Sequence, residues 1–153
     1  MQWNFEYDET GGFVRAAASD SFSPDRVIGF FSEMLSQPYW RPGTPLLIDF
    51  SRLDVAAIGS RDVQVLKYIM SALRTRLGFG KLAIYCADEK RFEFGCSFSG
   101  IAQPNLDREI CVFQIEEKAT EWMLSTRRGR WPAEAMDRSA TFKDETTSTI
   151  PAS

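Results

Sequence analysis

The sequence predicts an α/β fold: a five-stranded, mostly parallel mixed sheet with an N-terminal antiparallel edge strand and four helices. Three observations predict it. Leu46-Leu47-Ile48 is a continuous apolar run entered through Pro45, and a run without polar alternation fits a strand covered on both faces, as parallel strands are. At the N-terminus, Trp3, Phe5 and Tyr7 alternate with Asn4, Glu6 and Asp8, the period-two pattern of a strand with one buried face. After that first strand, strand-like and helix-like segments alternate four times, and each parallel connection crosses over right-handed.

Each element has its own local reason. Asp8-Glu9-Thr10-Gly11-Gly12 is turn chemistry, and Phe13 to Ala18 follows as the second arm of a hairpin, its small alanines calling for a close neighbour. Ser23-Pro24-Asp25 is a helix start, and the helix is expected to run to about Ser36 with Val27, Ile28, Phe30, Phe31, Met34 and Leu35 on a broad apolar face. Gln37 to Pro45 holds three prolines and two aromatics, a rigid connection in which Tyr39 and Trp40 close the domain edge. The strand Leu46-Leu47-Ile48-Asp49-Phe50 places Asp49 at its carboxyl end, ahead of a loop from Ser51 to Gly59. Ser60 reads as the N-cap of the longest helix, with Asp62 in its first turn. Val63, Leu66, Ile69, Met70, Leu73 and Leu77 recur along that helix at steps of three and four, and Gly78 ends it.

Lys81 to Cys86 is the next strand, and Asp88-Glu89 opens a helix to about Ala102. Gly95 and Gly100 inside it call for close packing, a kink or an irregular middle. Glu109 to Gln114 is the last strand, and Glu116 to about Thr126 the last helix, with Ala119, Trp122 and Met123 inward. One domain is expected over residues 1–126, followed over 127–153 by a polar extension that is basic and aromatic at Arg127-Arg128-Gly129-Arg130-Trp131 and then rich in Ser and Thr. Solvation of that extension, or docking on a second subunit or partner, are its two readings.

Composition narrows the function classes. At 153 residues and 44% hydrophobic content the chain is large enough to bury a core without staples. A formal charge of −3 argues against broad attraction to nucleic acid or anionic membranes. No stretch approaches the ~20 apolar residues of a membrane helix, and the start, Met1 to Glu6, has no signal-peptide character, so a cytoplasmic location is expected. Cys86, Cys96 and Cys111 are scattered and odd in number, and read as reduced core thiols. The chain has no histidine, which removes Ser-His-Asp and Cys-His catalysis and imidazole metal sites together. Gly78-Phe79-Gly80 precedes a strand and so is not a phosphate loop. No nucleophile and base pair can be named, no cofactor is implied, and the chain reads as non-enzymatic.

The order of these segments carries a resemblance. The strand ending Leu-Ile-Asp-Phe, the capped helix, the strand Leu82-Ala83-Ile84-Tyr85-Cys86, the glycine-bearing helix around Phe94-Gly95-Cys96-Ser97-Phe98, and the closing Val112-Phe113 … Ala119 to Leu124 together resemble the SpoIIAA-like proteins of the STAS group, also described as STAS/SEC14-type domains. The resemblance implies a (β-α)n superhelix and a regulatory or protein-interaction role. It also implies a phosphate switch to be tested residue by residue. STAS antagonists carry a phosphorylated serine in an Asp-Ser-Ser-Gly loop before the helix that follows the central strand. The matching residues are Ala57-Ile58-Gly59-Ser60, so Gly59 falls on the acceptor and both acid and acceptor are missing. Capping is the simpler reading of Ser60.

Two functional readings follow. The first is a protein partner bound at an interaction or switch loop of Asp49, Asp54, Gly59, Ser60 and Arg61, together with the exposed side of the following helix. The alternative, from the SEC14 side of the resemblance, is a small apolar or lipid-like ligand held by Phe30, Phe31, Phe94 and Phe98, although phenylalanines at helical spacing also suit a plain core. Ligands of open α/β sheets tend to bind outside the carboxyl ends of the strands. The carboxylates expected there, among them Asp20, Asp49, Asp54, Asp88, Glu89 and Glu116, could hold Mg²⁺, but helix capping is favoured for them. A weakly held homodimer is also expected.

Overall fold

The computed structural model describes residues 1–125. The expected extension, residues 127–153, and the expected last residue of the final helix, Thr126, lie outside the described residues.

The chain forms β1 (Gln2–Asp8), β2 (Phe13–Ser21), α1 (Pro24–Leu35), β3 (Leu46–Asp54), α2 (Ser60–Leu77), β4 (Gly80–Tyr85), α3 (Glu89–Ala102), a single 3-10 turn (Gln103–Asn105), β5 (Arg108–Phe113) and α4 (Glu116–Leu124). The strands lie in the order β1-β2-β3-β4-β5, with β1 antiparallel to β2 and every later pair parallel. Right-handed crossovers between strands laid down in one direction put every crossover helix on the same side. Thus α1, α2 and α3 bury Val27, Phe31, Met34, Leu66, Ile69, Leu73 and Phe94 against Val14, Ala16, Leu46, Ile48, Leu82, Ile84 and Val112. No strand follows α4 among the described residues, and it folds onto the other face, where Ala119, Trp122 and Met123 pack on Phe13, Leu47, Ala83, Cys111 and Phe113.

Two strands are longer than their sequence suggests. β2 continues to Ser21 and β3 to Asp54, because they pair again beyond an irregularity between Ala17 and Ser19: Ser19, Asp20 and Ser21 sit opposite Arg52, Leu53 and Asp54. The extra residue is on β3, between Asp49 and Arg52, and Asp20, paired with Leu53 just beyond it, has a φ of 63°, a left-handed conformation that aspartate tolerates better than most residues. Leu53 is buried beyond it, so the strand keeps a core-facing side chain after the polar Ser51 and Arg52.

The kink or irregular middle allowed for α3 does not occur. The helix is continuous, and Gly95 is there for proximity: a Cβ would sit 2.8 Å from Cys86 Sγ and 3.0 Å from Val112 Cγ1. The glycine thereby sets how closely α3 lies on β4 and β5. Gly29 on α1 is different, since a Cβ there would meet only the Trp3 ring at an ordinary 3.5 Å.

Where α2 ends, Gly78 (φ 75°) and Gly80 (φ 141°) turn the chain so that carbonyls converge on Arg108, which is only 2% exposed. Its Nη2 donates to Leu77 O at 2.6 Å, its Nη1 to Lys81 O at 2.9 Å and its Nε to Gly78 O at 3.3 Å. The Trp40 ring lies against the guanidinium at 5.8 Å, and Trp40 Nε1 donates to Arg76 O. Burial brings the Arg108 guanidinium down to about 10.

Two stability predictions follow from these contacts. Gly95→Ala is expected to destabilise by about 1–3 kcal/mol through overpacking, whereas Gly29→Ala is expected to stabilise by about 0.5–1 kcal/mol through helix propensity; urea denaturation of the two variants reads the opposite signs. Arg108→Met, which removes the donors to the carbonyls of Leu77, Gly78 and Lys81 and leaves Leu77 with only its bond from Gly43 N–H, is expected to cost about 1–3 kcal/mol, and Arg108→Lys is expected to recover only part of that loss in the same assay because a single ammonium cannot fan across the same set.

Candidate functional site

The β3–α2 connection and the outer side of α2 form a continuous exposed surface. Asp54 is exposed as the final residue of β3, and Ala56, Ala57 and Gly59 are exposed in the connection, with Val55 tucked inward and Ile58 packed partly on the core. The loop is therefore shorter than expected, Val55 to Gly59, because Ser51 to Asp54 belong to the strand.

Ser60 is corrected from N-cap to first helical residue. Gly59 is the N-cap, in extended backbone, and its N–H donates to the Asp62 carboxylate at 3.1 Å while its carbonyl starts the helix by accepting from Val63. Glycine serves at this position without a side-chain acceptor because Asp62 reaches back to satisfy the cap N–H. Ser60 and Arg61 are left exposed in the first turn.

From Arg61 the exposed side of α2 runs through Gln64, Lys67, Tyr68, Ser71, Ala72, Thr75 and Arg76. Tyr68 is 76% exposed at mid-helix, and Phe79 is 76% exposed in the turn beyond the helix end. Arg74 is held by Asp107, with Nη2 at 2.6 Å from the carboxylate, which keeps that guanidinium above its ordinary value and the carboxyl below its own. Arg61, Lys67 and Arg76 make no ion pair among the described residues. The face is thus cationic around an isolated aromatic ring, on a chain whose formal charge is −3.

Asp49 does not belong to this surface. It sits within β3, opposite Ala17 and Tyr85, on the α4 face of the sheet. Its Oδ2 accepts from Arg15 Nη2 at 2.6 Å and its Oδ1 from Ser51 N–H at 2.8 Å. Arg15 Nε in turn donates to Glu116 Oε2 at 2.9 Å. Burial alone would lower the Arg15 guanidinium, but the hydrogen bond to Glu116 and the two neighbouring carboxylates outweigh it and hold it above its ordinary value. This bridge from β2 through β3 to the start of α4 rests on Arg15, which sequence reasoning passed over. Its one legible signal was a charged residue among the alanines of a strand.

The rim carboxylates divide between caps and clamps. Asp88 is the N-cap of α3: Oδ1 accepts from Arg91 N–H at 2.9 Å and Oδ2 from Arg91 Nη1 at 2.6 Å. Arg91 Nε reaches across to the Leu53 carbonyl at 2.7 Å, tying α3 to the end of β3. Glu89 and Glu116 lie in first turns, where the helix dipole favours them. Among the described residues no group of three or more acidic or cysteine side chains is placed to hold a metal ion.

The four phenylalanines expected to line an apolar pocket lie in the core, in two separate ring clusters. Phe30 packs edge-on to Phe31 and Trp3, with Phe5 beside it. Phe94 and Phe98 both meet Phe50, and Phe94 also meets Phe22. A depression lined by Glu116, Thr120 and Leu124 lies along α4, across the sheet from all four rings. None of the three cysteines is in a disulfide. Burial raises the Cys86 thiol well above its usual value and pushes Cys96 up to about 11, so both are poor nucleophiles at neutral pH. No described helix is long and apolar enough to cross a membrane.

A five-stranded mixed sheet built by strand-helix repeats, with a capped helix after the central strand, matches a SpoIIAA-like fold, and comparison of structures agrees. The chain is similar to an uncharacterized protein of the DUF3478 family from Shewanella loihica PV-4, solved with a SpoIIAA-like fold, at a TM-score of 0.52 and 14% sequence identity over 80% of this chain and 92% of that one. At that identity the likeness concerns the fold. No family model matches the sequence, and no curated protein matches it.

The Asp88 cap gives a pH prediction. The hydrogen bond from the Arg91 backbone N–H, then the Arg91 guanidinium, holds this carboxyl below its ordinary value. A carboxyl lowered in the folded state stabilises above its unfolded value and loses that contribution as pH falls through the folded one. The advantage of the native chain over Asp88→Ala, about 1 kcal/mol at neutral pH for an N-cap, is therefore expected to shrink below about pH 4, as read by denaturant titrations across the acid range.

Proposed function

We propose that this chain is a non-enzymatic regulatory or protein-interaction domain whose recognition surface is Asp54, the Val55 to Gly59 connection, Ser60, Arg61 and the outer side of α2. The observation that carries the reading is Tyr68, 76% exposed at mid-helix among cations that have no ion-pair partner in the described residues. An isolated exposed ring gains nothing for the fold. Tyrosine and arginine, however, supply most binding energy where proteins meet, because each offers a large contact area and a polar end at low conformational cost. The matching partner surface is an apolar socket rimmed by acidic side chains. The likeness to a SpoIIAA-like structure supports the reading only through the shared scaffold.

The test is affinity capture from the chain's own host, with three baits compared by quantitative mass spectrometry. The first bait is the native chain. The second carries Tyr68→Ala, Arg61→Glu and Lys67→Glu, all on exposed positions. The third carries Glu121→Lys on the exposed side of α4, across the sheet. A true partner is expected on the first and third baits and depleted on the second by about thirtyfold or more, the scale of one lost hot spot. Equal retention on all three, with thermal unfolding of the second bait unchanged, would remove this surface from consideration.

A further inference from the structure

The two edges of the sheet are finished differently. At β5, Gln103 stands in for a sixth strand: its Oε1 accepts from Ile110 N–H at 3.1 Å, and its Nε2 donates to the Arg108 carbonyl. Backbone groups that would otherwise invite another strand are answered from within the chain. Among the described residues, no side chain does the same for β1, and its side-chain hydrogen bonds go elsewhere: Trp3 Nε1 donates to Glu33 on α1, and Asp8 accepts within the turn. β1 also lacks most of the usual safeguards of an edge, keeping only the charges of Glu6 and Asp8. It is seven residues long, pairs with β2 in unbroken register, and contains no proline, lysine or arginine.

We infer that β1 is a self-recognition edge, which pairs antiparallel with β1 of a second copy about a two-fold axis at Phe5 to join two sheets into one. The sequence of the strand selects both the occupant and the register. With the axis at Phe5, Trp3 faces the partner's Tyr7 and Phe5 faces the partner's Phe5 on one side of the sheet. On the other side Asn4 faces the partner's Glu6, and Gln2 faces the partner's Asp8. Aromatic side chains thus meet aromatic ones, and each carboxylate meets an amide. An axis at Glu6 would set that carboxylate against its own copy. An axis at Asn4 would shorten the paired segment to Gln2–Glu6. Every contact is made twice, as two-fold symmetry requires. A single edge is expected to bury less than the ~1,200 Å² typical of stable interfaces, which makes the association a weak one.

Sedimentation equilibrium of the full chain from about 5 to 500 μM tests the inference with two substitutions at Asn4, an exposed position whose cross-strand neighbour in the same copy is Ala17. Asn4→Glu sets like charges face to face twice and is expected to raise Kd by about two- to thirtyfold. Asn4→Lys places a cation opposite the partner's Glu6 and is expected to leave Kd unchanged or lower it. In hydrogen exchange, protection of β1 amides is expected to rise with concentration while that of α2 stays constant. A chain that remains monomeric at the highest concentration overturns the inference. So does a dimer that responds equally to both substitutions, or one that protects α2 instead of β1. Because α2 is read separately, failure here leaves the partner surface on α2 untouched.

Discussion

Arg108 is a cation closed into the protein without a carboxylate, and much of the architecture can be understood as the means of keeping it there. A buried charge is costly unless its donors are all answered. Here the answer is the negative end of α2, whose last carbonyls have no partner inside the helix. The two problems cancel: the helix needs donors at its end and the guanidinium needs acceptors. The geometry that lets them meet is expensive locally, since Gly78 and Gly80 both adopt positive φ. A Cβ on Gly78 would come within 2.8 Å of Gly43 N, so the proline-rich connection before β3 is also fixed to this corner. One side chain therefore joins β5, the end of α2, the start of β4 and, through Trp40, the connection after α1.

The sequence made the scaffold legible because its signals are periodic and local. The continuous Leu46-Leu47-Ile48 run and the apolar steps of Leu66, Ile69, Met70, Leu73 and Leu77 along α2 report how each segment meets the core, where these residues lie buried, and the alternating Trp3 and Phe5 pack partly against it while Tyr7 stays exposed. What was hidden is long-range and electrostatic. Arg15 lies 34 positions from Asp49 and 101 from Glu116, and no spacing rule joins them. Arg108 looks like an ordinary surface residue at the start of a strand until the end of α2 is folded over it. The placement of Asp49 failed for a related reason: the strand ran on through Ser51 and Arg52 because β2 continued beside it. Ser60 was displaced as cap by a neighbour three positions from Gly59, Asp62, which satisfied the same backbone need from inside the helix.

The candidate surface is legible to a different degree. Its position after the central strand follows from the order of the elements, which is a sequence property. Its character does not. The exposure of Tyr68 depends on how α2 is rolled onto the sheet, and Arg74 is separated from Arg61, Lys67 and Arg76 only by its partner Asp107, brought in from beyond α3. The phenylalanines teach the same lesson in reverse. Helical spacing cannot distinguish a ring that lines a space from one that fills it, and here Phe50, on the central strand, is the ring that fills the centre of the Phe94 and Phe98 group.

The strand order, in which every strand lies beside its neighbour in sequence, bears on how the chain is made. As it leaves the ribosome, each strand and its helix find the preceding unit already present as a template, so synthesis and folding can proceed in the same direction. The last described strand carries Arg108, and with it the guanidinium that joins the end of α2 to the sheet. A ribosome-bound chain halted before β5 would thus hold a growing sheet whose longest helix already ends against Trp40 and Gly43 but lacks the guanidinium that ties Leu77, Gly78 and Lys81 together, and the arrival of β5 would act as the latch.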